Sequence, residues 1–297
     1  MVLLGIMYKS LDSEALRVLH AIEQGMKKHE YVPVDYIAKV TKIPPKRLDA
    51  ILSFLDSKKV IRRRVGYTVG YRLVFLGLDM LAIDSLVKRG VLAAIGERIG
   101  VGKESDIYEA LNPAQERLAL KLHRIGRTSF KKTKRVRPYV FVRETPDWLS
   151  ESKLSAQREF KALQELSVHT KHVPKPVAYN RHAVVTEFIE GVELYRVKSL
   201  ENPREVLEGI VEVIKVAYGK VGIVHGDLSE YNIMISYPTE RPMIIDWPQY
   251  LCKDYPHAME TLKRDVYYVV RYFNKRFSLN VNWESVLKEV LSSEEGS

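Results

Sequence analysis

The sequence is short of cysteine and of long apolar runs. Cys252 is the single cysteine among 297 residues, so no internal disulfide can form, and a reducing compartment is expected. No stretch of about 18 apolar residues occurs, which argues against a membrane-spanning helix. Residues 1–11 lack the basic start and the small-residue cleavage site of a secretory signal. A cytoplasmic protein with no membrane partner is therefore expected.

Acidic residues are outnumbered by basic ones. The chain has 47 Lys and Arg against 37 Asp and Glu, which gives a formal net charge of +10. The segment from Arg124 to Arg143 holds eight basic residues and no acidic residue. Because like charges repel one another and favour a solvated state, we predict a mobile loop that orders on a phosphate-rich partner. The alternative is a segment that only keeps the protein in solution.

Residues 1–76 have the element order of a winged helix. Three helices and a two-stranded hairpin are predicted, at 11–30, 34–40, from Pro45 onward, at 60–65 and at 71–75. The third helix is predicted to bury Leu48, Ile51, Leu52 and Leu55 and to expose Lys46, Arg47, Lys58 and Lys59. We favour nucleic-acid contact over a protein-interaction role because these exposed positions are basic.

A linker helix is predicted at 77–90, and the pattern then changes. Residues 91–297 mix strands and helices, which indicates an α+β domain. The predicted strands are at 92–99, 106–111, 118–122, 174–179 and 183–189. The predicted helices are at 154–166, 205–221 and 258–277, and the last is expected to bury Leu262, Val266, Val269, Val270 and Phe273.

A glycine-containing loop lies between the first two of these strands. Its residues are Gly100, Val101, Gly102, Lys103, Glu104 and Ser105. Glycines allow backbone N–H groups to close over phosphate oxygens, although an ordinary hairpin turn would have a similar composition. A P-loop is excluded because Glu104 stands after Lys103, where Ser or Thr is needed. A dinucleotide-binding loop is excluded because a strand follows rather than a helix.

Lys121 ends an apolar strand, where a buried and unpaired charge would be unfavourable. Glu159, on a later amphipathic helix, can supply a carboxylate to pair with it. A strand lysine paired with a helix glutamate is a required part of the active kinase site. Taken alone, however, a lysine at a strand end more often faces solvent.

The most specific pattern runs from Ile223 to Ile235. An apolar strand leads into a polar loop that reads His-Gly-Asp-Leu-Ser-Glu-Tyr-Asn, and a second apolar strand follows it. Asp227 and Asn232 belong to this loop, so one loop can orient a nucleophile with a carboxylate and bind Mg²⁺ with an amide oxygen. Asp246 ends the next apolar strand and is expected to complete the protein's share of the Mg²⁺ ligands.

Taken together, these residues resemble the protein-kinase signature set of glycine loop, strand Lys, helix Glu, catalytic-loop Asp and Asn, and metal-binding Asp. Three positions depart from that set. Ser105 replaces the third loop glycine, Gly226 replaces the catalytic-loop Arg, and Trp247 follows Asp246 in place of Phe. Only 51 residues follow Asp246, too few for the usual activation segment and peptide-binding lobe.

This shortened pattern resembles the RIO family of atypical serine/threonine protein kinases. The matching stretches are Gly-Val-Gly-Lys-Glu-Ser-Asp-Ile-Tyr at 100–108, His-Gly-Asp-Leu-Ser-Glu-Tyr-Asn at 225–232 and Ile-Asp-Trp-Pro-Gln at 245–249. A winged helix in front is similar to the second subfamily. Because eukaryotic members carry long C-terminal extensions that this sequence lacks, an archaeal source is expected.

The resemblance implies a fold, a cofactor and a partner. The fold is a winged helix followed by a trimmed two-lobed kinase domain, with an N-lobe at 91–189 and a C-lobe at 190–297. The expected cofactors are ATP and Mg²⁺, or Mn²⁺ in its place. The expected partners are the RNA and proteins of a maturing small ribosomal subunit, with ATP hydrolysis beside protein phosphorylation. The oligomeric state and the phosphoacceptor are left open.

Individual site residues take their expected roles from the same resemblance. The adenine is expected between Ala119 and Met234, beside a hinge that includes Glu187 and Ile189. Lys121 is expected to bind phosphate oxygens and the glycine loop to cover them, while Asn232 and Asp246 hold the metal. Asp227 is the expected catalytic base, and Asp246 is a further candidate to accept the phosphoryl group itself.

Two other functions compete with this interpretation. A small-molecule phosphotransferase of the aminoglycoside or choline kinase type also has a His-Gly-Asp catalytic loop, but it needs a larger helical substrate lobe and has no use for a winged helix. A transcription regulator with an inactive kinase domain is disfavoured because Lys121, Asp227, Asn232 and Asp246 are all present.

Overall fold

The structure, a computed structural model, describes residues 4–66, 68–126 and 148–292. The chain divides into two units. The described residues of the first unit are 4–66, 68–126, 148–153 and 179–183, and those of the second are 154–178 and 184–292. Beyond residue 126, the predicted basic segment lies outside the described residues. Within the described ranges, no helix combines the length and apolar character that a bilayer span requires.

A winged helix opens the first unit. Its elements are α1 (Leu4–Lys9), α2 (Ser13–Gly25), β1 (Val32–Pro33), α3 (Val34–Thr41), α4 (Pro45–Ser57), β2 (Ile61–Val65) and β3 (Val69–Leu73). The strands form one antiparallel sheet in the order β1-β3-β2. Asp12 caps α2 by accepting a hydrogen bond from the Ala15 N–H at 2.7 Å, and Pro45 occupies the first turn of α4.

The predicted inward face of the third helix is confirmed. Leu48, Ile51, Leu52 and Leu55 are all buried in α4. Strand β3 begins at Val69 instead of residue 71, because the pairing of Val65 with Val69 continues the ladder into the predicted turn. Neither α1 nor β1 was predicted, since six and two residues are too few to show a hydrophobic period.

Helix α5 (Phe75–Lys88) follows, spanning most of the predicted linker helix. Strands β4 (Ala94–Val101), β5 (Ser105–Leu111) and β6 (Arg117–His123) then form an antiparallel meander in which β5 pairs with both neighbours. Strand β4 ends two residues later than predicted, because the pairing of Val101 with Asp106 extends it. The tip of a later hairpin also belongs to this unit, where the His123 N–H donates to the His182 carbonyl at 2.9 Å.

The remaining elements are α6 (Trp148–Leu166), β7 (Pro176–Asn180), β8 (Ala183–Glu187), β9 (Gly191–Glu193), α7 (Pro203–Lys215), β10 (Ile223–Val224), β11 (Ile233–Ser236), β12 (Pro242–Ile244), β13 (Leu251–Cys252), α8 (Ala258–Phe277) and α9 (Trp283–Ser292). In the second unit, one antiparallel sheet has the order β12-β11-β9, and β10 pairs with β13. The apolar faces of α7, α8 and α9 share one core with these strands.

Helix α8 has both predicted ends and the predicted buried face. The single helix predicted at 205–221 is wrong: the α-helix ends at Lys215 and a π-helical turn follows at Val216–Val221. Gly222, with φ of +75°, closes that turn and leads into β10. An apolar pattern cannot reveal such a wider turn. Strand β8 stops at Glu187 instead of 189, and α9 was not predicted.

Candidate active site

The glycine loop joins β4 to β5 in the first unit, as predicted. The Gly102 N–H donates to the Ser105 carbonyl at 2.8 Å, which closes a tight turn. A Cβ on Gly102 would lie 3.2 Å from the Ser105 hydroxyl, so the glycine relieves crowding. Neither Gly100 nor Gly102 has a positive φ, so conformational freedom is not what requires glycine here.

Strand β6 carries Lys121 on the face that also presents Ala119. Leu118, Leu120 and Leu122 alternate with them and are buried, whereas Ala119 and Lys121 are half-buried. This alternation follows from the period of two along a strand. Lys121 stands opposite Ile107 in β5. The first unit therefore holds the predicted lysine and the predicted phosphate loop on adjoining strands.

The structure corrects the interpretation of Arg124. The sequence placed it in a solvated basic segment, but its side chain is buried and paired with two carboxylates. Its guanidinium donates to both oxygens of Asp79, at 2.6 and 2.8 Å, and to Asp106 at 3.1 Å. The Phe75 ring lies 5.0 Å from the guanidinium carbon. Arg124 thus joins α5 to the strand that follows the glycine loop.

His182 completes this buried cluster. Its Nε2 lies 2.7 Å from Asp79, while its Nδ1 is buried with no hydrogen-bond partner among the described residues. Burial lowers the pKa of His182 to about 4, although Asp79 opposes the shift. Burial alone would raise the pKa of Asp79, but Arg124 and His182 hold it below its ordinary value. The cluster is therefore a charged arginine paired with two carboxylates, beside a neutral histidine.

The second unit contains the predicted catalytic loop, between β10 and β11. The Asn232 side-chain NH₂ donates to the Asp227 backbone carbonyl at 2.7 Å and lies 3.4 Å from the Asp227 carboxylate. With its NH₂ held in this way, the amide directs its Oδ1 elsewhere and leaves that oxygen available to a cation. The loop thus sets the orientation of the predicted metal ligand.

Asp246 is held close to this loop by strand pairing. Ile233 stands opposite Ile244 in the β11–β12 ladder, and the Ile245 N–H donates to the Asn232 carbonyl at 3.0 Å. Asp246 follows with φ of +66°, an uncommon conformation for a residue other than glycine. One carboxylate and one amide oxygen suit Mg²⁺, which keeps several waters and substrate phosphates. The residues present therefore fit a Mg²⁺–nucleotide complex.

Burial raises the pKa of Asp227, and the nearby carboxylate of Asp246 adds to the rise while His225 opposes it. His225 Nε2 lies 3.0 Å from the Ile245 carbonyl, and its Nδ1 accepts from the Asp227 N–H at 3.3 Å. These contacts fit the tautomer with its proton on Nε2. His225 therefore links the loop backbone to the strand end that bears Asp246.

Gly226, the departure from the usual kinase Arg, has a local structural cause. Its φ is +88°, and a Cβ there would lie 2.6 Å from the Gln249 carbonyl oxygen. Its N–H donates to the buried carboxylate of Asp265 on α8 at 2.9 Å. Arg264 bonds the Gly226 carbonyl at 2.5 Å and Asp265 at 2.9 Å. Sequence reasoning missed this anchor, because an Asp inside an amphipathic helix carries no distinguishing pattern.

Trp247, another departure from the kinase signature set, fills the space behind the loop. Its side chain is buried, its Nε1–H donates to the Ile244 carbonyl at 3.1 Å, and its ring centre lies 4.6 Å from that of His225. Arg158 of α6 donates to the Pro248 carbonyl at 3.0 Å and to the Tyr250 carbonyl. These contacts fix the chain just after Asp246, and neither was foreseen from the sequence.

The other predicted site residues lie in α6, in β11 and at or just after the end of β8. Glu159 is buried in α6, and Met234 of β11 lies opposite Met243. The Glu187 N–H donates to the Lys175 carbonyl at 3.0 Å, and Ile189 follows the end of β8. The pairing of Glu159 with Lys121 and the position of the adenine stay predictions. So do the individual binding roles of the loop residues.

Comparison with known proteins agrees with this arrangement. Residues 106–286 match the family model described as RIO domain, and residues 8–89 match the model described as Rio2, N-terminal. The chain is 41% identical over 255 residues to the RIO-type serine/threonine-protein kinase Rio2 of Methanocaldococcus jannaschii, covering 84% of this chain and 92% of that protein. It is 34% identical over 283 residues to serine/threonine-protein kinase rio2 of Schizosaccharomyces pombe, covering 94% and 81% respectively.

A solved structure is similar over nearly the whole chain. It is the Rio2 kinase–ADP/Mg²⁺–phosphoaspartate complex from Chaetomium thermophilum, with a TM-score of 0.81 and 31% identity. The similarity covers 99% of this chain and 93% of that one. The expected fold, a winged helix followed by a trimmed kinase domain, is thereby confirmed. The chain belongs to the RIO family of serine/threonine protein kinases and has the N-terminal domain of its Rio2 branch.

Proposed function

We propose that this kinase transfers the γ-phosphoryl group of ATP with Mg²⁺ at Asp227, Asn232 and Asp246, and that it acts on maturing small ribosomal subunits. The observation that carries the catalytic part is the geometry of the second unit. Asn232 is oriented by Asp227, and strand pairing brings the chain of Asp246 beside it. Phosphoryl transfer depends mainly on such positioning and on charge stabilisation.

Each unit carries groups that are suited to this chemistry. In the first, the backbone N–H groups of the glycine loop and the ammonium of Lys121 are suited to phosphate oxygens. In the second, Asn232 and Asp246 would supply oxygen ligands for Mg²⁺, and the bound metal would neutralise phosphate charge. Mn²⁺ accepts the same ligand types.

Asp227 is the proposed base or orienting group. A base works best when its pKa lies near the operating pH, and burial moves that of Asp227 upward from its ordinary value. The Asp227 backbone is fixed because its N–H donates to His225 Nδ1 and its carbonyl accepts from the Asn232 NH₂, which also lies 3.4 Å from the Asp227 carboxylate. Asp227 would receive the proton of the attacking hydroxyl or water.

Asp246 is also a candidate phosphoryl acceptor. The similar structure from Chaetomium thermophilum is a phosphoaspartate complex. In this step an oxygen of the Asp246 carboxylate attacks the γ-phosphorus, the bond to the bridging oxygen breaks, and ADP leaves. Water then cleaves the acyl phosphate and restores the carboxylate with release of phosphate. Hydroxylamine cleaves acyl phosphates, so label from [γ-³²P]ATP should be lost on hydroxylamine treatment, and a hydroxylamine-stable label would contradict this step.

A ribosomal RNA partner is supported by the wing. Arg62, Arg63 and Arg64 are exposed along β2, and Lys58 and Lys59 are exposed just before it. Some of the predicted cations are already paired with carboxylates and are less available to bind RNA phosphates. Arg47 is paired with Asp12 at 2.5 Å and with Glu14 at 2.6 Å, and Arg64 is paired with Glu30 at 3.2 Å. The contact surface therefore centres on Lys58, Lys59, Arg62 and Arg63.

Incubation with labelled ATP and Mg²⁺, with and without small ribosomal subunits, tests both parts of the proposal. We expect Mg²⁺-dependent turnover that changes when subunits are added. Turnover that responds only to an aminoglycoside or to choline would favour the small-molecule alternative, which the comparisons do not support. Recovery of small subunits with the purified kinase would support the ribosomal partner, and recovery of DNA alone would contradict it.

A further inference from the structure

The outward face of helix α8 carries both basic and aromatic side chains. Lys263, Tyr267, Arg271 and Lys275 follow one another at intervals of four residues, and Tyr268 lies beside Tyr267. Residues four apart lie on one helix face, about 6 Å apart along the axis. These side chains are exposed and have no part in the core that the opposite face of the helix supports.

A groove opens along this face, and Trp283 of α9 forms one side of it. Its volume is about 400 Å³, within the range of known ligand sites. The rings of Tyr267 and Trp283 meet edge to face with centres 5.6 Å apart, and Tyr267 is 37% exposed. Arg271 and Lys275 line the same groove. An exposed ring thus lies beside two cations.

The cations of this face are not neutralised by neighbouring acids. Lys263, Arg271 and Lys275 form no ion pair with any carboxylate among the described residues. Other basic residues of the same helix do have partners. Arg264 is paired with Asp265, and Arg276 donates to the Val197 carbonyl at 3.1 Å. The guanidinium of Arg271 also lies over the Tyr267 ring, 5.9 Å from its centre. Because no described carboxylate neutralises these cations, their charge is left for an external anion.

From this arrangement we propose that the α8 groove binds single-stranded RNA. Proteins that bind single strands combine a cationic track for phosphates with aromatic rings on which bases stack. Here Tyr267 offers a ring, and Lys263, Arg271 and Lys275 offer the cationic track. A duplex hides its base faces, so it would use the charges alone. The proposal goes beyond the kinase activity, because none of these residues belongs to the candidate active site.

The test is the affinity of the full chain for a fluorescent single-stranded oligouridylate of about 12 nucleotides. Tyr267→Ala should weaken binding about tenfold, and Tyr267→Phe, which keeps the ring, should bind like the wild type. Arg271→Glu with Lys275→Glu should weaken binding and reduce the slope of log affinity against log salt by about 1.4 or more. A duplex of the same length should show no loss with Tyr267→Ala.

A matched charge reversal controls for net charge. Lys171→Glu with Lys220→Glu makes the same change at exposed positions of the same unit and should leave binding much closer to wild type.

Crosslinking of a 4-thiouridine oligonucleotide should map to the peptide that contains Tyr267. Crosslinks confined to the winged helix, or equal effects of the two charge reversals, would overturn the proposal. Displacement of the RNA by polyglutamate at equal charge would favour an acidic peptide instead. Mg²⁺-dependent ATP turnover, measured on the same variants, should stay unchanged and reports separately on the proposed kinase activity.

Discussion

At the scale of single residues, backbone conformation decides which side chains the catalytic loop accepts. Gly226 combines a φ of +88° with a carbonyl oxygen 2.6 Å from where its Cβ would be. Gly90 has a similar φ of +70°, but open space surrounds it. Comparing alanine substitutions at Gly226 and Gly90 therefore separates the energetic cost of backbone strain from that of crowding.

We predict that Gly226→Ala lowers the free energy of unfolding by about 3 kcal/mol or more, because strain and a clash with Gln249 add together. Gly90→Ala, which has the strain alone, should cost about 1–2 kcal/mol. Chemical denaturation of both variants measures the difference. Equal losses would mean that the contact with Gln249 has no energetic consequence.

Asp227 should show opposite effects on activity and stability. Its raised pKa means that the charged form is disfavoured in the folded protein, so stability decreases as pH rises from the unfolded to the folded pKa. We predict that Asp227→Asn raises the melting temperature at pH 7 while turnover falls about 10²–10⁴-fold. ADP binding should be nearly unchanged, since the proposed role of Asp227 concerns the acceptor and not the nucleotide.

The stability gain should disappear in acid, where wild-type Asp227 is itself protonated. Melting curves at several pH values, alongside turnover measurements, check this. A variant that loses nucleotide binding and turnover equally would contradict the assigned role. A variant that is less stable than wild type at pH 7 would contradict the assigned electrostatic environment.

At the scale of elements, the buried cluster around Arg124 joins α5 to the strands of the glycine loop. We predict that Asp79→Ala destabilises the protein by about 3 kcal/mol, since it strips a buried guanidinium of its bidentate partner and leaves Asp106 as the one carboxylate paired with it among the described residues. Because the pKa of Asp79 is lowered, the stability it provides is lost as pH falls through its folded pKa. The gap between variant and wild type should therefore shrink in acid.

A surface pair provides the control for that measurement. Glu30 is exposed and contacts Arg64 at 3.2 Å, so Glu30→Ala should cost less than about 1 kcal/mol. Urea denaturation of both variants gives the comparison. If Asp79→Ala cost no more than Glu30→Ala, the buried pair would not hold these elements together.

Periodic elements were predictable, and elements set by tertiary contacts were not. Helix α8 buries all five apolar residues that the helical spacing predicted, and both of its ends were predicted. Arg124 was misplaced because counting charges along a chain cannot reveal that Asp79 lies 2.6 Å away. The candidate site shows the same division. The spacing of Asp227, Asn232 and Asp246 in the sequence was enough to predict them. The hydrogen bonds of Asp265 and Arg158 that hold the site depend on long-range contacts, which the sequence pattern does not reveal.

At the scale of the whole molecule, the exposed basic residues of the wing and of the segment just before it predict salt-dependent RNA binding. We expect Lys58→Ala, Lys59→Ala and Arg62→Ala together to weaken binding to small-subunit RNA and to flatten its salt dependence, because fewer counterions are released. Basal ATP turnover should not change. Arg47→Ala is the control, since Asp12 and Glu14 already neutralise that side chain. If the slope of log affinity against log salt were unchanged in the triple variant, the wing would not be the surface that contacts RNA.

The central claim is Mg²⁺-dependent phosphoryl transfer at the loop that joins β10 to β11 and at the carboxylate after β12. Hydrolysis of [γ-³²P]ATP against Mg²⁺ concentration, for wild type and Asp246→Asn, tests it most directly. We predict Mg²⁺-dependent turnover for the wild type. For the variant we predict a loss of about 10²-fold or more, a higher Mg²⁺ requirement and intact metal-free ADP binding. Wild-type turnover by Asp246→Asn with an unchanged Mg²⁺ requirement would contradict the claim.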